Sequence, residues 1–150
     1  MKIALCSDHG GLHLKNAIME SLVKSGYEIK DFGTTSENSC DYPDFALLAA
    51  EAIKRGEYER GIFVCMTGIG ISISANKVPS IRCALCHDTL SARLTREHND
   101  ANVLALGEGV TGKSLALEIV KVFLETPFSN EARHQRRIDK ITAIENKYLK

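Results

Sequence analysis

The stretch Gly61-Ile-Phe-Val-Cys-Met-Thr-Gly-Ile-Gly-Ile-Ser-Ile-Ser-Ala-Asn76 decides the fold. Ile62, Phe63 and Val64 form a short apolar run of the kind seen in parallel strands covered on both faces. Cys65 stands where such a strand ends, and the chain then turns through Gly68 and Gly70 into a helical segment. Glycines there let the backbone come close to a ligand, and the amides that open a helix favour negative charge. A thiol beside that helix end is expected to gain thiolate character. One segment therefore offers a base or nucleophile next to an anion hole. Neither common nucleotide loop fits. The third glycine of a dinucleotide fingerprint would fall at Ile73, and no Gly-Lys-Ser/Thr follows at the required spacing.

Working outward, apolar runs alternate with helical patterns. Strands are expected over Lys2–Cys6, Tyr27–Phe32, Gly61–Val64, Ile81–Cys86 and Asn102–Leu106. Between them Leu14, Ala17, Ile18 and Leu22 recur at helical spacing, as do Phe45, Leu48, Ala49, Ala52 and Ile53. A further helix runs from the fourth strand to about Glu97, and Ala116, Ile119, Val120 and Phe123 mark the one after the fifth. Strands alternating with helices of this length imply an α/β, Rossmann-like, three-layer domain around a five-stranded parallel sheet. The final helix breaks the alternation. Ile138, Ile141, Ile144 and Tyr148 line one face of it, and it is expected to pack on a partner subunit.

The 150 residues suit a single domain, 1–150, large enough to bury a core without staples. With 19 basic and 19 acidic residues the formal charge is zero, which argues against a nucleic-acid or membrane-surface partner. Met1-Lys2 leads straight into a strand, no apolar run reaches the length of a membrane span, and the cysteine count is odd. A cytoplasmic protein is expected.

Ligands of open parallel sheets bind at the carboxyl ends of the strands. Ser7-Asp8-His9-Gly10-Gly11, Asp41-Tyr42-Pro43, Cys65 with Thr67, and His87-Asp88 are expected there, together with Arg96-Glu97-His98-Asn99-Asp100 at the end of the next helix. An acid, two histidines, a thiol and a glycine loop would then converge on one edge. Cys83 and Cys86 share a redox or zinc spacing, but within a strand residues three apart face opposite ways, so no metal site is expected. Cys6 and Cys40 read as core and loop residues. Arg133 and Arg137 share a helix face and have the spacing to grip one phosphate.

Ser-Asp-His-Gly-Gly at 7–11, Asp-Tyr-Pro at 41–43, Cys-x-Thr-Gly-x-Gly-x-Ser-Ile at 65–73, Ala-Asn-Lys at 75–77, Arg-Glu-His-Asn-Asp-Ala-Asn at 96–102 and Arg-His-x-x-Arg at 133–137 resemble the type B ribose-5-phosphate isomerases. The wider family includes galactose-6-phosphate and allose-6-phosphate isomerases. The resemblance implies an aldose–ketose isomerase that interconverts ribose 5-phosphate and ribulose 5-phosphate without cofactor or metal. It assigns the proton-transfer base to Cys65, and ring opening to His98 assisted by Thr67. Substrate contacts fall to Asp8, His9 and Asn99. The enediolate goes to the amides from Met66 through Gly68 and Ile69 to Gly70, and the phosphate to Arg133 and Arg137. It also implies a homodimer or homotetramer with a shared site. Two positions depart from the family pattern: Met66 stands where glycine is usual and Gly109 where a substrate-holding arginine is usual. Gly109 is expected to leave room that admits a six-carbon sugar phosphate.

A non-catalytic sugar-phosphate sensor has no need of Cys65, Thr67 and His98 together. A thiol phosphatase would close its loop on an arginine, which the stretch from Cys65 to Asn76 lacks.

Overall fold

A computed structural model describes residues 1–148. Five strands, β1 (Lys2–Ser7), β2 (Glu28–Asp31), β3 (Arg60–Cys65), β4 (Cys83–Leu85) and β5 (Val103–Gly107), form one sheet in the order β2-β1-β3-β5-β4. Every pairing is parallel, with Leu5 opposite Ile62 and Cys65 opposite Gly107. The helices are α1 (Leu12–Lys24), α2 (Tyr42–Lys54), α3 (Ile69–Ala75), α4 (Thr89–Asn99), α5 (Lys113–Glu125) and α6 (Ala132–Tyr148), with a single 3-10 turn at His9–Gly11. Among the described residues no helix is long and apolar enough to cross a membrane. The α/β, Rossmann-like architecture is the expected one.

Strand periodicity sorts the core into two layers. Ile3, Leu5, Ile62, Val64, Leu104 and Leu106 face α1, α4 and α5, where they meet Ile18, Ala92, Ile119 and Phe123. Ala4, Cys6, Phe63, Cys65 and Ala105 face α2 and α3, where Ala46, Ala49, Ala50 and Ile71 meet them. The alanines let α2 lie close to the sheet above the bulky Phe63 ring.

Three local expectations need correction. The second strand loses both ends, because the Tyr27 N–H closes α1 onto the Leu22 carbonyl at 3.1 Å and Phe32 is the first residue of a loop. The fourth strand shrinks to Cys83–Leu85, since Ile81 lies in a turn bonded to Val78 and the Arg82 N–H is held by the Asn102 side chain. Leu48 points into solvent, and the buried stripe of α2 is Ala46, Ala49, Ala50, Ala52 and Ile53. Alanines carry a weaker periodic signal than leucines, which is why Leu48 misleads. Cys83 and Cys86 do face opposite layers, and all five thiols are free.

α6 packs on α4 of its own chain through His134 and Ile138, while Ile141, Ile144 and Tyr148 lie exposed beyond that contact.

Candidate active site

The strand order reverses between β1 and β3: α1 leaves β1 on one face of the sheet and α3 leaves β3 on the other. Such a switch point opens a crevice at the carboxyl ends of the two strands. Asp8 follows β1 and Cys65 ends β3, so both flank it. An open cleft of about 410 Å³ there gathers six of the residues singled out above: Asp8, Cys65, Met66, Thr67, Ile69 and Gly70. A second cavity, about 310 Å³ between α1 and α5, contains none of them.

The Cys65 Sγ accepts a hydrogen bond from the Gly68 N–H at 3.1 Å. Gly68 makes this turn with a left-handed φ of 77°, and a Cβ there would lie 2.9 Å from the Leu106 carbonyl carbon. Only glycine satisfies both the dihedral and the space. The Thr67 Oγ1 accepts from the Ile69 N–H at 3.2 Å, so its hydroxyl caps the same turn. Two of the amides assigned to the enediolate, those of Gly68 and Ile69, thus already serve Cys65 and Thr67. Burial pushes the Cys6 thiol, and likewise that of Cys83, well above the ordinary range, which keeps both protonated.

Asp8 is buried, and among the described residues its Oδ1 has no hydrogen-bond partner. A buried carboxylate oxygen left free beside a cleft is costly unless a ligand meets it. His9 stands next to it with Nδ1 accepting from the Cys40 N–H at 3.2 Å, which leaves Nε2 as the donor. Tyr42 is a cleft residue the sequence reading did not assign a role. It lies over Gly70, where a Cβ would come 2.7 Å from its hydroxyl. The Asp-Tyr-Pro signature at the start of α2 was the available signal.

His98, Asn99, Arg133 and Arg137 do not join this cleft. The expectation placed the end of α4 on the same edge as Cys65, but a crossover helix starts at the carboxyl edge and returns to the amino edge. Eleven residues carry it about 16 Å back. There the Asn99 carbonyl accepts from Arg82 Nε and the chain enters β5. At that edge the His98 ring packs on the ring of His134, with centroids 4.3 Å apart and planes at 35°. His134 is buried, and its Nδ1 lies 2.7 Å from the Ser129 hydroxyl. Burial first, and then the neighbouring His98, holds the His134 pKa below the usual histidine value. Arg133 and Arg137 are exposed on the first turns of α6, with Arg133 paired to Glu131 at 2.7 Å. His134 is a residue the sequence reading passed over. It sits inside Arg-His-x-x-Arg, but nothing in the spacing marks it as buried.

Among the described residues no three histidine, cysteine or carboxylate side chains are grouped to hold a metal ion.

A thiol and an unpartnered carboxylate oxygen at the switch point of an open parallel sheet mark a small-molecule cleft in a Rossmann-like fold. The chain belongs to the ribose/galactose isomerase family, whose pattern it matches over residues 3–141. A ribose-5-phosphate isomerase B from Clostridium thermocellum superposes with a TM-score of 0.97 at 57% identity, covering 99% of each chain. The ribose-5-phosphate isomerase B of Escherichia coli is 47% identical over 146 residues, 97% of each protein. A D-erythrulose-4-phosphate isomerase of Pectobacterium atrosepticum is 45% identical over 130 residues, 85% of each. The chain is accordingly a sugar-phosphate isomerase, an intramolecular oxidoreductase.

Proposed function

We propose that this isomerase interconverts ribose 5-phosphate and ribulose 5-phosphate, with Cys65 as the base, in a cytoplasmic homo-oligomer whose sites are shared between subunits. The observation that carries the reading is the Cys65 Sγ, held by the Gly68 N–H at 3.1 Å, in the same cleft as the unpartnered Asp8 oxygen. A thiolate there removes the C2 proton of the open-chain aldose, the O2 hydroxyl proton passes to O1 of the enediolate, and the resulting thiol returns its proton to C1, which gives the ketose and restores the thiolate. Between the two transfers the enediolate oxygens face the loop after β3, where backbone N–H groups offset the negative charge.

The opposed placement of the two residue groups supports sharing. Cys65 lies at the carboxyl edge, and His98, Asn99, Arg133 and Arg137 at the amino edge, so no single protomer assembles them. Both edges are bordered by exposed apolar side chains: Tyr42, Ile69 and Ile73 at one, Ile141, Ile144 and Tyr148 at the other. A two-fold arrangement that sets the first edge against the partner's second edge completes two sites at once. His98 of the partner subunit then opens the sugar ring with Thr67. The partner's Arg133 and Arg137 hold the phosphate. Five free thiols fit a reducing cytoplasm.

A six-carbon sugar phosphate is the alternative within the family. The room it was expected to find above Gly109 is filled by the Met66 thioether. Incubation of the purified enzyme with ribose 5-phosphate and assay for ketose tests the proposal. Ketose formation is expected, and its absence would refute the reading.

A further inference from the structure

Three loops meet beside the Cys65 thiol: 8–11 after β1, 66–68 after β3 and 108–111 after β5. The Glu108 N–H donates to the Cys65 carbonyl and the Gly109 N–H to the Met66 carbonyl, each at 2.9 Å, so the second and third loops are tied together. Met66 lies between two glycines. A Cβ on Gly10 would come 3.3 Å from the Met66 Cβ, and one on Gly109 would collide with the Met66 Sδ and lie 3.1 Å from its carbonyl oxygen.

Gly109 is not glycine for the sake of its backbone, since its φ lies outside the left-handed region occupied by Gly26, Gly56 and Gly68. A Cβ there would meet the Met66 thioether first and the Met66 carbonyl oxygen second. That side chain is no core filler either: Met66 is 54% exposed and forms part of the cleft wall with Asp8, Tyr42 and Cys65. The part of the wall that Met66 itself builds is apolar and uncharged. Glu108, the one ionisable side chain of the third loop, is already engaged by the Leu14 N–H at 2.8 Å.

We propose that Met66, seated in the space Gly109 leaves open, limits substrate length and selects against sugar phosphates longer than five carbons. The inference rests on the isomerase reading above. An added CH(OH) must either displace the thioether or push the reacting carbons away from Cys65. One methylene-sized misfit in such a pocket discriminates by roughly 10- to 200-fold. Glycine at 109 and methionine at 66 act as one unit, so their effects on rate are coupled.

The test measures kcat/KM of wild type, Met66→Gly, Gly109→Ala and the double variant on erythrulose 4-phosphate, ribose 5-phosphate and allose 6-phosphate. Met66→Gly is expected to raise the ratio of allose 6-phosphate to ribose 5-phosphate by roughly tenfold or more. Gly109→Ala should force the thioether into the cleft and lower ribose 5-phosphate turnover by about tenfold, yet change it less than about twofold in the Met66→Gly background. An unchanged ratio, or equal effects of Gly109→Ala in both backgrounds, overturns the inference and leaves the isomerase reading standing. A wild type inactive on all three sugars overturns the isomerase reading and this inference with it. Thermal melts verify folding, and Met66→Ala replaces Met66→Gly in every comparison if the glycine variant does not fold.

Discussion

The Gly68 N–H points at the Cys65 Sγ from 3.1 Å, across a turn that only a left-handed residue can make. Sulfur and amide come from one four-residue stretch, so the thiol and the turn that holds it cannot drift apart.

Cys65→Ala is expected to fold normally, because alanine fits the buried site, and to lose isomerisation by roughly a hundredfold or more. Exchange of the substrate C2 proton with solvent, followed by NMR in deuterated water, should disappear with it. Retained exchange would assign the base elsewhere.

Shared sites predict complementation. Cys65→Ala and His98→Asn should each be nearly inactive alone. When subunits are unfolded together and reassembled, half of the dimers are mixed and each mixed dimer holds one intact site, so activity should recover to about a quarter of wild type. No recovery would mean that Cys65 and His98 do not work in one site.

Lys15 on α1 is fully buried, with its Nζ 2.7 Å from Asp31 Oδ2 and also bonded to the Thr34 carbonyl. Lys15→Met leaves a partly buried carboxylate and a carbonyl without their partner. It should cost about 3 kcal/mol, read as a lower urea midpoint at unchanged m-value. A loss below about 1 kcal/mol would place the pair among ordinary surface bridges.

His134 supplies a pH dependence of stability. Its folded pKa lies below the ordinary value of 6.5, chiefly through burial. As pH falls below 6.5 the unfolded chain takes up a proton that the folded chain resists, so stability declines toward acid. Above the ordinary pKa the contribution is complete. His134→Asn should be less stable at neutral pH, and its stability should fall less steeply between about pH 6.5 and 5. Urea titrations across that range measure both slopes, and parallel slopes would show that folding leaves the His134 pKa unchanged.

The parallel sheet, the order of its elements and the cleft around Cys65 were legible in the chain because they depend on local rules. Apolar runs of period two and helices of period 3.6 report burial directly, and the Cys65–Gly70 loop carries its thiol and its turn within a few residues. The extent of the weakest elements was not legible. β4 ends early because side chains distant in sequence, such as Asn102, take its backbone partners, and α2 hides its contact face in alanines.

Larger decisions belonged to the tertiary structure alone. Sequence order placed His98 one element after the carboxyl edge of β4, but a crossover helix must return its end to the opposite edge, and this separates His98 from Cys65 within a protomer. The burial of His134, the free oxygen of Asp8 and the seating of Met66 over Gly109 likewise depend on segments far apart in the chain. Local patterns specify which faces are buried. Only the packed molecule determines which distant side chains share the same space.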